Sequence, residues 1–154
     1  MNIESLSDIA ATIIITPWML KDEAVALGER HGLEFIAAGI DRYVYRAGGK
    51  VYKFASYIDS SQQRQEIENY RCMMTFMENN PERCAGWGLP FMEAIYAGDY
   101  LVIVAEDVGD EVDDWAMENP WNANDAHSDN ARIYNGIRYL IDLGLADRHS
   151  DFCW

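Results

Sequence analysis

The fold turns on GIDRYVYRAGGKVYKF, residues 39–54. Aromatic and β-branched residues flank Gly48-Gly49, a pair suited to a two-residue turn, so the stretch reads as a hairpin of strands over 43–46 and 50–54. Just upstream, residues 35–38 give a third short strand. Downstream, Ser60 or Ser61 caps a helix over 60–77, where apolar residues recur at Ile67, Tyr70, Met74 and Met77, and Asn79-Asn80-Pro81 ends it. LPFMEAIYAGDYLVIVAED, residues 89–107, forms a second hairpin that turns at Ala97-Gly98-Asp99. Its second strand, over 100–105, is apolar enough to be buried.

Ahead of these strands, residues 5–30 read as helix in pieces. Ser5 or Ser7 caps a first turn, Pro17 interrupts, and LKDEAVALGERHG stops at Gly32. Behind them, Pro120 to Asn130 make a loop, and residues 131–143 read as a last helix stopped by Gly144. From residue 34 on, the order is strand, strand, strand, helix, strand, strand, helix, helix. Antiparallel strands around one main helix, with a partly helical C-terminal part, define an α+β fold. Three segments follow: a helical extension over 1–33, the sheet and helix over 34–107, and an acidic connector, helix and tail over 108–154.

The chain has 154 residues, 49% of them apolar and 12% aromatic, enough to fill the core of one domain or of one domain and a small appendage. Disorder is not expected for most of it. Lys and Arg number 12 against 26 Asp and Glu, a net charge of −14. Such a surface repels a phosphate backbone, which excludes direct nucleic-acid binding and favours a basic partner. Cys72, Cys84 and Cys153 form no CxxC pair and no zinc spacing, as expected of reduced thiols in a cytoplasmic protein. The N-terminus, MNIESLSD, lacks the basic start of a secretory signal. The apolar run over 9–20 is broken by Thr12, Thr16 and Pro17, so no membrane span is expected.

The charge is uneven. Residues 1–105 carry a net of −5 and residues 106–154 a net of −9. Between Glu106 and Ala131 there are nine acids and no Lys or Arg. In helical form, Asp107, Asp110, Glu111, Asp114 and Glu118 would share one face. Two readings stand open: a solvated surface, and a face that presents carboxylates to a basic groove.

Lys53 lies in the third strand, in the context VYKF. Turned inward, it needs a partner, and the helix over 60–77 offers Glu66 or Glu68. In this arrangement the chain resembles the protein-kinase-like fold, in the compact form of bacteriophage kinase-like proteins. GIDRYVY (39–45) resembles the nucleotide-covering hairpin, VYKF the strand lysine, QRQE (63–66) the helix that supplies its carboxylate, LVIVAED (101–107) the strand into the hinge, and DRHSDF (147–152) the catalytic loop.

The resemblance implies nucleotide contacts at Gly39, Arg42, Lys53 and Glu66, with Asp147 and His149 as vestigial catalytic positions. Phosphoryl transfer requires a metal-binding asparagine in the catalytic loop and a following DFG-type aspartate. Phe152 stands at the asparagine position and cannot coordinate magnesium, and the sequence reaches Trp154 before any DFG-like element. The expectation is a non-catalytic kinase-like module, with no metal, no cofactor, and at most weak ATP binding. In this reading Trp115, Trp121, Phe152 and Trp154 either lack the cover of a lower lobe and form an interaction or homodimer face, or fold back into a small local core. The expected function is that of a phage-type inhibitor. Asp107, Asp110, Glu111, Asp113, Asp114, Trp115 and Glu118 would dock on a basic, nucleic-acid-binding surface of a host or defence protein. The alternative is an ATP-binding protein kinase, or the upper half of a split one.

Overall fold

The computed structural model describes residues 1–16, 18–39, 42–58, 60–115, 118–121 and 130–143. The fold is α+β: three helices, a five-stranded antiparallel sheet and a smaller three-stranded sheet. Two compact units divide the chain, one made of Met1–Gln63 with Met92–Asp107, the other of Arg64–Phe91 with Val108–Trp154.

The first unit holds helices α1 (Ile3–Ile15) and α2 (Lys21–Arg30) and strands β1 (Glu34–Ala38), β2 (Arg42–Ala47), β3 (Lys50–Ala55), β5 (Met92–Ala97) and β6 (Tyr100–Glu106). The strands lie in the order β1-β2-β3-β6-β5. Gly48 and Gly49 turn β2 into β3 with φ of 58° and 78°, a region costly for any residue bearing a Cβ. The register sets Lys53 opposite Val44 on one side and Ile103 on the other.

Asn2 caps α1, its Oδ1 accepting the Ser5 N–H at 2.8 Å, in place of the Ser5 or Ser7 cap expected. α1 buries Leu6, Ile9, Ala10 and Ile13, which recur at the i, i+3, i+4, i+7 spacing of one helix face. Those residues join Ala24 and Leu27 of α2 in a common core with Tyr43, Tyr45, Phe54 and Val102 of the sheet. The helical segment over 1–33 shares the core of the sheet.

Tyr45 is the pivot of that core. It is fully buried, meets Phe35 and Phe54 edge to face at 5.5 and 5.8 Å, and donates its hydroxyl to the Ala24 carbonyl at 2.8 Å. Gly28 leaves room for it: a Cβ there would stand 2.6 Å from Tyr45 Cε1.

The division between units falls inside helix α3 (Ser61–Asn79), after Gln63. The second unit contains the rest of α3, the short strand β4 (Trp87–Gly88), and the hairpin of β7 (Ala131–Tyr134) and β8 (Ile137–Leu140). β4 runs parallel to β8, giving the order β4-β8-β7. The core is built on Trp121, wholly buried, which donates its indole N–H to the Met73 carbonyl at 3.0 Å and meets Trp87 edge to face at 6.0 Å. Asn69 donates to the Leu143 carbonyl at 2.6 Å.

Two expectations are decided in this unit. The last helix, expected over 131–143, is a β-hairpin. Ile133, Ile137 and Leu140 fit a helical spacing, but Asn135-Gly136 decides the matter. Both residues adopt positive φ, 51° and 77°, the geometry of a two-residue hairpin turn. The second concerns Trp121, for which an uncovered face and a local core were both open: it is the largest fully buried side chain among the described residues.

Candidate functional site

The residues matched to a nucleotide site divide between the units. In the first, Arg42 and Lys53 are 4% and 5% exposed, so neither is the surface cation that a strand residue usually is. Gln63, at the start of α3 and wholly buried, ties their strands together. Its Oε1 accepts from Arg42 Nη1 at 3.2 Å, and its Nε2 donates to the Lys53 carbonyl at 2.8 Å and the Leu101 carbonyl at 3.2 Å. Glutamine serves here because one side chain offers both an acceptor and two donors. Gly39 is exposed, and its N–H donates to the Arg42 carbonyl at 2.9 Å. Glu66 belongs to the second unit and is wholly buried there; Glu68, the other acid considered for Lys53, is exposed. Asp147, His149, Phe152 and Trp154 lie outside the described residues.

The acidic stretch is not a helix where it is described, so its carboxylates do not share the expected helical face. Gly109 adopts φ 79°, and the chain beyond it runs alongside β7. The Glu111 carbonyl accepts from the Ile133 N–H at 2.8 Å, Asp113 N–H donates to the Ala131 carbonyl at 3.2 Å, and Val112 bridges Arg132.

Asp107 closes the first unit. Its N–H donates to the Gly49 carbonyl at 3.0 Å, and its carboxylate lies 3.4 Å from Arg46 Nε. Asp113 is buried at 2% exposure, contrary to its expected place on a docking face. Its Oδ2 accepts from Arg138 Nε at 2.7 Å, and its Oδ1 accepts from Arg138 Nη2 at 3.2 Å and the Trp115 N–H at 3.0 Å. Burial works to raise the carboxyl, but the hydrogen bonds from Arg138 and Trp115 and the guanidinium charge outweigh it and hold Asp113 below the usual carboxylate value. The same guanidinium lies over the Trp87 ring, 4.0 Å from its centroid. Arg138 is thereby held between a carboxylate and an indole.

What remains at the surface is Asp110, Glu111, Asp114 and Glu118, with Trp115 at 76% exposure. Arg138 and Gln63 were not singled out from the sequence. Arg138 carried one signal, as one of only three bases in the last third of the chain. Gln63 carried none beyond its place before Glu66.

Among the described residues, no helix is long and apolar enough to cross a membrane, and no group of three His, Cys, Asp or Glu is placed to hold a metal ion. Comparison with protein-family models, curated proteins and solved structures gives no match to this chain.

Proposed function

We propose that this chain is a non-catalytic, kinase-like binding protein that docks an acidic surface on a basic, nucleic-acid-binding face of another protein, in the manner of a phage-type inhibitor. The observation that carries the reading is the stretch over 110–118. Asp110, Glu111, Asp114 and Glu118 are exposed to either side of the exposed Trp115 in the sequence, in a run with no Lys or Arg. A bare solvated run has no use for an exposed tryptophan, whereas interface centres favour this residue. The kinase-like part of the proposal is supported by the strand-strand-strand-helix-strand-strand order, by the burial of Lys53 in its third strand and by the burial of Glu66 in its helix. Phe152, at the position of a metal-binding asparagine, argues against phosphoryl transfer.

Immobilised full-length chain, exposed to bacterial lysate at low and high salt with and without duplex DNA, tests this. A basic partner released by salt and displaced by DNA is the expected result. A partner held equally under all four conditions sinks the proposal.

A second reading, ATP binding without transfer, is favoured by the burial of two cations, Arg42 and Lys53, in one sheet. An ATP-dependent rise in melting temperature that Lys53→Ala abolishes would support it. Radiolabel transfer with magnesium would overturn the non-catalytic reading.

A further inference from the structure

We infer that strand β5 is an interface strand and that its occupant is β5 of a second copy of this chain, paired antiparallel about Ile95. The inference is independent of the docking reading above. β5 ends the five-stranded sheet, with β6 as its strand neighbour. Gly98-Asp99 joins the two, with Gly98 at φ 67° and Ala97 opposite Tyr100. The closing pair of such a two-residue hairpin exchanges both of its backbone bonds, and antiparallel pairs alternate from there. Glu93, Ile95 and Ala97 thus turn their N–H and C=O groups to β6, while Ala94 and Tyr96 turn theirs outward. Among the described residues no backbone group pairs with that outer row. Ala94 is exposed, and Tyr96 is 66% exposed. What satisfies an open row of backbone donors and acceptors is another extended chain, whose own groups repeat at the same spacing.

The two edges of the sheet differ. At the other edge, β1 slips its register between Phe35 and Ala37, a bulge at Ile36 that disrupts further pairing. β5 keeps an unbroken register from Met92 to Ala97 and contains no Pro, Lys or Gly. Its other face is fixed to the core through Ile95 and Ala97. One edge is guarded and the other is regular, anchored and open.

The sequence of β5 is complementary to its own reverse. Antiparallel pairing about Ile95 sets Ala94 of each copy opposite Tyr96 of the other, giving two reciprocal pairs of backbone bonds. Ile95 then meets Ile95, and Glu93 stands opposite Ala97. A small residue faces a large one on one side of the sheet, and apolar faces apolar on the other. Glu93 is the one charge of the strand, and this register keeps the two carboxylates well apart. The neighbouring symmetric register, about Ala94, would bring them to the diagonal position, about 7–8 Å apart, where like charges repel. The pairing is two-fold and closed, whereas joining β5 to β1 would build an open filament and meet the bulge at Ile36.

Sedimentation velocity of the full chain at rising concentration, in low and in high salt, tests this. A monomer that becomes a dimer is expected, and more readily in high salt, because each copy carries a net charge of −14 and salt screens the repulsion. Docking on a basic partner has the opposite salt dependence, so the two readings stand or fall separately. Ala94→Pro deletes an outward N–H without touching a bond to β6, and should raise the dimer dissociation constant about tenfold or more. Tyr96→Lys, at an exposed position, should do the same by charging the edge, with an unchanged melting temperature, and decides the matter if the proline destabilises the fold. On oxidation, Ile95→Cys should cross-link to itself between copies and Ala94→Cys should not, as mapped by mass spectrometry of the linked peptides.

A chain that stays monomeric at every concentration and salt overturns the inference. So does a dimer indifferent to both Ala94→Pro and Tyr96→Lys, or one lost with Trp115→Ala instead. Cross-linking through Ala94→Cys rather than Ile95→Cys overturns the pairing about Ile95.

Discussion

Asp113 and Arg138, 25 residues apart, form a two-bonded ion pair in which the carboxylate is 2% exposed and its partner is also stacked on Trp87. The pair fastens the acidic chain to the β7–β8 hairpin. Removing the carboxylate with Asp113→Asn strips a charge from a half-buried guanidinium and weakens the grip on Trp115 N–H. We expect a loss of about 2–3 kcal/mol, at the lower end for broken buried pairs because Arg138 keeps some contact with water. Urea unfolding at neutral pH measures it.

The same residue predicts an acid limb. Asp113 titrates lower in the folded chain than in the unfolded one, so its contribution is fully present above the unfolded value of about 3.9 and is lost as pH falls through the folded value. The stability difference between wild type and Asp113→Asn should therefore be constant above about pH 5 and shrink below about pH 4. A difference that stays constant down to the acid transition would contradict this assignment.

Tyr45 gives the opposite limb. Burial, and to a lesser degree Tyr43 beside it, push its phenol up to about 12. The folded chain thus holds that proton more tightly than the unfolded one, whose value is about 10. Stability from this group is present below about pH 10 and is lost as pH rises towards 12. Tyr45→Phe should cost about 1 kcal/mol at neutral pH, through the lost bond to the Ala24 carbonyl, and should flatten the alkaline fall.

Gly28 and Tyr45 are tested together by Gly28→Ala. The new methyl would meet Tyr45 Cε1 at 2.6 Å and the Leu33 carbonyl at 2.8 Å, and the backbone oxygen cannot swing away as a flexible side chain could. A helix normally gains from Gly→Ala, so a loss of about 2 kcal/mol or more would show that close packing outweighs helix propensity. Thermal melting decides the sign.

Gln63→Ala should cost about 2–3 kcal/mol, because the buried Arg42 Nη1 and Lys53 carbonyl and the part-buried Leu101 carbonyl each lose a partner. Gln63→Leu, which keeps the volume but not the bonds, should be no better. Denaturant midpoints compare the two, and a silent Gln63→Leu would show that packing rather than hydrogen bonding holds Gln63 against β2 and β3.

The β-hairpins of the first unit and α3 were legible from local chemistry. Gly48-Gly49 can hardly do anything but turn, and the apolar recurrence at Ile67, Tyr70, Met74 and Met77 has the period of a helix. Residues 131–143 differ from the expected helix although Ile133, Ile137 and Leu140 have the i, i+4, i+7 spacing of a helix face. The turn pair Asn135-Gly136, visible in the sequence, was the better witness. The placement of the acids was not legible, since the spacing of Asp107, Asp110, Glu111, Asp114 and Glu118 has meaning only for a helix that the backbone bonds from Glu111 and Asp113 to β7 prevent.

The sequence by itself determined the α+β class, the concentration of negative charge after residue 105 and the strand that carries Lys53, because turn chemistry, periodicity and net charge are local properties. Only the tertiary structure decided which acid is structural and which is presented. Asp113 and Asp114 are neighbours of the same type, yet one is buried against Arg138 and the other stands in solvent beside Trp115. That difference arises from a residue 25 positions away in the chain, brought close by the hairpin and stacked on Trp87. No reading of the neighbouring sequence contains it.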